Sequence, residues 1–133
     1  MTGKGRERRL KTREITPADD TVLAEIIRDN LRAKHLDIPG TVYYDDNLYH
    51  LSDFYLADKG GRYYFIATDD KDTVIGGIGL AEVEFLDDCA ELQKLYLTDE
   101  AKGNGFSYKL ISLVEDKARE FGYKRIYLET HDN

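Results

Sequence analysis

The stretch "AELQKLYLTDEAKGNGFSYKLISLVEDKAREFG", Ala90 to Gly122, constrains the fold more than any other part of the chain. "AELQKLYL" predicts a strand, and Lys102-Gly103-Asn104-Gly105 interrupts it. The segment after the loop then places Phe106, Leu110, Ile111, Leu113, Val114, Ala118 and Phe121 on one helical face and ends at Gly122. A strand, a glycine-rich loop and a helix in that order form a ready anion site. The first helical N–H groups lack intrahelical acceptors, the helix dipole is positive at that end, and glycine lets several amides converge on one guest. The loop is neither G-x-x-x-x-G-K-[ST] nor G-x-G-x-x-G. Taken alone it serves equally well as a plain turn before a helix.

The rest of the chain predicts a simple element order. "LKTREIT" alternates as a strand does, and Thr16-Pro17 supplies an N-cap and a first-turn proline. They precede a helix through "ADDTVLAEIIRDNLRA", with Val22, Leu23, Ile26, Ile27 and Leu31 at helical spacing. Ile38-Pro39-Gly40 and Gly60-Gly61 read as turns, "LYHLSDFYLAD" as a short helix, and "RYYFIAT" with "TVIGGIGLAEVEF" as a hairpin around Asp69 to Asp72. The turn-like Asp87-Asp88 leads into "AELQKLYL", and "KRIYLET" closes the series as β-α-α-β-β-β-α-β. At 133 residues the chain makes one domain. We divide it into a basic arm, residues 1–13, and a single domain, residues 14–133.

Charge and cysteine content narrow the classes of function. The arm's net +5 leaves −12 on the remainder of a chain that totals −7, which argues against nucleic acid as a partner of the body and tolerates a cationic acceptor. The arm itself reads as a solvated segment, with nucleic-acid contact as the alternative. One cysteine, Cys89, forms no intrachain disulfide, no Cys/His cluster suggests a metal, and no apolar run reaches the roughly 18 residues of a membrane span. A cytoplasmic setting without membrane contact is the expectation.

"AELQKLYLTDEAKGNGFSYKLI", together with "TREITPADD", "GGRYYFIATDDKDTVIGGIGL" and "AREFGYKRIYLETHDN", resembles the acetyl-CoA-binding core of the GNAT superfamily of N-acetyltransferases over almost the whole chain. The family loop follows Q/R-x-x-G-x-G/A; here Lys102 stands for Gln/Arg and Ser107 for the final Gly/Ala. The resemblance implies an α/β (α+β) fold with a mixed, mostly antiparallel central sheet flanked by helices. It also implies acetyl-CoA as co-substrate and a fourth strand that bulges and splays from the fifth. Backbone at Leu95, Tyr96 and Leu97 would then meet the pantetheine and acyl carbonyl, and amides from Lys102 through Gly103, Asn104, Gly105 and Phe106 to Ser107 the pyrophosphate. Asn133 matches the family asparagine near the pantetheine. Screening over about 8 Å leaves Lys94, Lys102, Lys109 and the helix end as the field that this anion feels.

Acetyl transfer needs a neutral amine. A lysine-type amine, pKa about 10.4, is deprotonated about one part in a thousand near pH 7.4, whereas an α-amine at about 7.7–8.0 is deprotonated to roughly a quarter. Glu91 lies eleven residues before Lys102, the spacing at which the resemblance places a general-base glutamate. Strand alternation sets Gln93 on the same face, where it can orient the acceptor. The alternative for Glu91 is a solvated strand-end glutamate. His131 and Glu129 stand where the sheet opens, although a lone terminal histidine also suits a surface. Cys89 lacks a histidine partner for acyl chemistry, and Tyr43, Tyr44, Tyr63 and Tyr64 read as core or pocket walls. A small-molecule amine, such as an amino acid, is the expected acceptor, with a non-catalytic acyl-CoA-binding or interaction module as the alternative.

The family pattern continues past a fifth strand with a helix bearing a thiolate-protonating tyrosine and two more strands, whereas the sequence stops at Asn133. The expectation is therefore a domain incomplete at its C-terminus. Its fifth strand, carrying Ile126, Tyr127 and Leu128, would offer an edge for a homodimer or a swapped assembly.

Overall fold

The computed structural model describes residues 9–39 and 45–128. The chain runs through β1 (Lys11–Glu14), α1 (Asp20–Ala33), α2 (Leu51–Leu56), β2 (Tyr63–Thr68), β3 (Val74–Val83), β4 (Leu86–Leu97), α3 (Phe106–Phe121) and β5 (Arg125–Leu128). Single turns of 3₁₀ helix precede α1 at Pro17–Asp19 and α2 at Asp46–His50. The strands lie in the order β1-β2-β3-β4-β5, antiparallel except for the parallel pair β4–β5. This is the mixed, mostly antiparallel α/β sheet that the sequence predicts. Lys11, Thr12 and Arg13, which the sequence division assigns to the arm, belong to β1.

Period-two alternation splits the sheet between two cores. Phe65, Ala67, Ile78, Leu80, Ala90 and Leu92 face α3 and meet Phe106, Leu110, Val114 and Ala118. Tyr64, Ile66 and Ala81 face the other way, onto Leu23, Ile27 and Leu31 of α1 and Leu51 and Tyr55 of α2. Burying one such large side chain contributes about 1.5–3 kcal/mol, so the two faces together anchor all three helices.

Polar ties fix how α1 and α2 sit. The buried Asp20 carboxylate accepts from the Ser52 amide at 2.9 Å and from its hydroxyl at 2.6 Å, joining the first turn of α1 to α2. Asp19 accepts from the Thr16 amide at 2.8 Å and from both terminal nitrogens of Arg13, at 2.8 and 2.7 Å, which pins the start of α1 to β1. At the far end of α1, the Asn30 amide donates to the Leu97 carbonyl at 2.9 Å and so binds this helix to β4.

One turn differs from expectation. Asp87 and Asp88 lie within β4, and the chain reverses at Glu84-Phe85 instead. The strand tolerates these acids because both stay accessible and β5 neutralises one of them. Arg125 donates to Asp88 at 2.8 Å, and the Lys124 amide donates to the Asp88 carbonyl at 2.8 Å.

Candidate active site

The centre of β4 changes phase. Gly77 of β3 faces Tyr96 and Gly79 faces Gln93, so β4 uses one residue more than β3 over the same span. Lys94, with φ of 49°, is the residue that turns in the left-handed region. Such a bulge re-aims every side chain beyond it. Leu95 and Leu97 return to the α3 core, while Tyr96 joins Glu91 and Gln93 on the face toward α1 and α2.

The parallel pairing with β5 runs from Cys89↔Arg125 to Leu92↔Leu128, and no described residue of β5 pairs with Gln93 to Leu97. Two carbonyls of the segment from Gln93 to Leu97 are held from the α1/α2 side. Tyr64 donates to the Lys94 carbonyl at 2.8 Å, and Asn30 holds the Leu97 carbonyl. These contacts hold the backbone of β4 on either side of Tyr96.

Glu91 and Gln93 come together as alternation predicts. The Gln93 amide donates to Glu91 Oε1 at 2.8 Å, and Tyr55 of α2 donates to Gln93 Oε1 at 2.7 Å. Burial first, and then the negative charge of Glu91, push the Tyr55 hydroxyl far above the usual phenol range. Beside this chain lies a cleft of about 480 Å³ lined by Asp45, Asn47, His50, Asp53, Tyr55, Gln93 and Lys94 among others. Lys94 thus faces the cleft, while Lys102 pairs with Asp99 at 3.2 Å in its own turn.

The loop beyond β4 has the form of an anion cradle. Gly103 (φ 82°) and Gly105 (φ 74°) both take the left-handed conformation, which lifts the chain onto the first turn of α3. Asn104 turns its side-chain amide back toward the carbonyls of Ala101 and Lys102, at 3.1 and 3.3 Å. No acidic residue stands in the first turn of α3, and a Cβ built on Gly103 or Gly105 meets nothing within 4 Å. Open amides at a helix N-terminus fit a pyrophosphate.

Of the other residues singled out in the sequence, Glu129, His131, Asn133, Tyr43 and Tyr44 lie outside the described residues. Cys89 is buried. Tyr64 is a core residue, and Tyr63 is half-buried beneath Lys117, whose ammonium is 4.4 Å from the ring centre. Sequence reasoning missed Asn30, Tyr55 and the cleft residues Asp45, His50 and Asp53. The spacing of Gly77 and Gly79 in one strand carried a signal for Tyr55, because alternate glycines leave one face of a strand bare for something large.

This fold, with its bulged β4 and glycine-rich α3 N-terminus, is that of an acyltransferase-type domain, and the match of residues 22–133 to the acetyltransferase (GNAT) family places the chain in that family. It is an acetyl-CoA-dependent N-acetyltransferase. The chain is 33% identical over 120 residues to the uncharacterized N-acetyltransferase YjgM of Escherichia coli K12, spanning 89% of this chain and 70% of that protein. A GNAT-family acetyltransferase from Staphylococcus aureus Mu50 shares the fold with a TM-score of 0.77 at 20% identity, over 93% of this chain and 74% of that one. An acetyltransferase from Clostridium acetobutylicum, crystallised with acetyl-CoA, does so with a TM-score of 0.73 at 18% identity, over 93% and 82%. Among the described residues no helix is long and apolar enough to cross a membrane.

Proposed function

We propose that this acetyltransferase acts on the primary amine of a small molecule such as an amino acid, by direct attack in a ternary complex, with Glu91 as general base. Acetyl-CoA supplies the acyl group as an activated thioester. The amides from Lys102 to Ser107 hold its pyrophosphate, and the backbone beyond the bulge, at Leu95, Tyr96 and Leu97, receives the pantetheine and the acyl carbonyl. The acceptor enters the cleft beside Gln93, where Asp45 and Asp53 favour a cation. Glu91 takes the surplus proton of the ammonium and frees its lone pair; the nitrogen then bonds to the acyl carbon as the carbon–sulfur bond breaks, and the proton that the nitrogen sheds on becoming an amide passes to the leaving thiolate.

The observation that carries this reading is the Glu91–Gln93 pair standing next to the bulge of β4, with Gln93 lining the cleft. Glu91 is half-buried, within reach of an acceptor. General-base help contributes about 10²–10⁴ in rate, enough to measure. A panel of amino acids, polyamines and short peptides is screened by thiol release from acetyl-CoA. Glu91→Gln should then lower turnover at neutral pH and recover in part at high pH, where the amine deprotonates unaided. A pH–rate profile unchanged by the substitution removes Glu91 from the mechanism.

The enzyme works in a reducing, cytoplasmic setting in which the buried Cys89 stays a thiol. Among the described strands β5 lies at the side of the sheet and exposes Tyr127 and Leu128, a surface suited to association with a second copy, which sedimentation over a range of concentrations tests.

A further inference from the structure

Tyr55 reaches the centre of the sheet from α2, across β3, and β3 lets it pass because Gly79 has no side chain. Gly79 is the cross-strand partner of Gln93. A Cβ at that position would lie 2.7 Å from the Tyr55 hydroxyl oxygen and 2.8 Å from Cζ of the same ring. The phenol therefore fills the place of a missing neighbour and meets Gln93 where a side chain of β3 would otherwise stand. The ring is held on both sides, edge-on to Phe54 with centroids 4.9 Å apart and tilted against Tyr64 at 5.0 Å, and is only 1% exposed.

The hydrogen bonds run in one direction. An ionised Glu91 accepts and cannot donate, so it takes the Gln93 amide nitrogen; Gln93 Oε1 then faces Tyr55, whose hydroxyl must donate. The phenol holds its proton throughout the working range of pH, because burial and the charge of Glu91 both oppose its loss. Gln93 is thereby kept from turning over. Glu91 has Oε1 engaged, and Oε2 has no protein partner among the described residues.

We propose that Tyr55 is a positioning residue for the acetyl-transfer reaction: through Gln93 it fixes the Glu91 carboxylate so that Oε2 is presented to the acceptor's amine. This rests on the reading of Glu91 as the base. Tyr55 touches neither substrate in this role and acts only through Gln93.

The test uses the full chain with acetyl-CoA and the best amine of the panel. Tyr55→Phe keeps the ring and removes the donor, and Gln93→Leu, at a partly accessible site, removes the relay if the first variant folds poorly. Each should lower kcat roughly 10- to 100-fold and leave the KM for acetyl-CoA within about threefold, since a displaced base harms the chemical step more than binding. The double variant should be no slower than Gln93→Leu alone, and NMR should show the Gln93 side-chain amide protons exchanging faster in Tyr55→Phe. A fully additive loss in the double variant, or a wild-type kcat in Tyr55→Phe, overturns the proposal. Amide exchange needs no acceptor, so unchanged Gln93 exchange in Tyr55→Phe overturns it even for a chain inactive on every amine tried. Glu91→Gln at full activity removes the base itself, whereas a slowed Glu91→Gln beside a normal Tyr55→Phe removes the role of Tyr55 alone.

Discussion

Gly79→Ala puts one methyl group where two tyrosine rings already meet. The added Cβ would lie 2.7 Å from Tyr55 Oη, 2.8 Å from Tyr55 Cζ and 2.8 Å from Tyr64 Cδ2. Ordinary carbon contacts begin near 3.5 Å, so both rings must withdraw by several tenths of an ångström. Neither has room, for Tyr55 is 1% and Tyr64 0% exposed. Overpacking of this kind costs about 1–3 kcal/mol, and loss of the Tyr55–Gln93 hydrogen bond adds about 1 kcal/mol. The expected loss of about 2–4 kcal/mol is a large part of the roughly 5–15 kcal/mol that holds a domain together. It should lower Tm by about 6–16 °C at roughly 3–4 °C per kcal/mol. Urea unfolding, read by circular dichroism, should show the midpoint falling with the slope unchanged. Gly103→Ala serves as the comparison: its Cβ meets nothing, so only the left-handed backbone is penalised, by about 1–2 kcal/mol. A Gly79→Ala protein within about 0.5 kcal/mol of the parent would refute the reasoning, because Tyr55 would then not fill the space that the glycine leaves.

Gly105→Glu sets a carboxylate and a strained backbone at the α3 N-terminus, and calorimetry with acetyl-CoA should show at least a hundredfold weaker binding, about 2.7 kcal/mol; undiminished binding by the folded variant would contradict the cradle. Asp19→Asn should make stability less dependent on acid. Burial raises the Asp19 carboxyl, but hydrogen bonds from Arg13 and Thr16 outweigh it and hold the group below its usual 3.8. A carboxyl lowered on folding contributes stability that is present above the unfolded value and lost as pH falls through the folded one. The parent should therefore have the higher urea midpoint at pH 7, and the gap should close as pH drops below about 4; a constant gap down to pH 2 would show that the Arg13 contact does not carry it.

Much of the architecture was legible in the sequence because its elements are strongly periodic. The helix from Phe106 to Phe121 and its stop at Gly122 follow from spacing and one glycine, and the facing of Glu91 and Gln93 follows from strand alternation. Turns were harder. Asp87-Asp88 has turn composition, yet it lies in β4 because β5, distant in sequence, brings Arg125 to it. The rest of the site was illegible for the same reason. Asn30 meets Leu97, and Tyr55 meets Gln93, only after the sheet is assembled, and nothing local at either residue announces the partner. The alternate glycines of β3 were the exception, a visible gap whose occupant the sequence alone could not name.

The bulge at Lys94 also has a meaning in terms of length. Before it, Ala90 and Leu92 point into the α3 core; after it, Leu95 and Leu97 do. Omitting Lys94 would bring these two series into one uninterrupted alternation, with Tyr96 still opposite Gly77 and Gln93 still opposite Gly79. The apolar contacts of β4 with α3 would keep their register, but the buried Tyr64 hydroxyl would lose the Lys94 carbonyl to which it donates, and the cleft would lose the Lys94 side chain. A left-handed conformation at a non-glycine residue costs about 1–2 kcal/mol, so the shortened chain would lack a strain that the natural one carries. The bulge in this sheet is therefore one residue of surplus length, held in place by the Tyr64 hydroxyl.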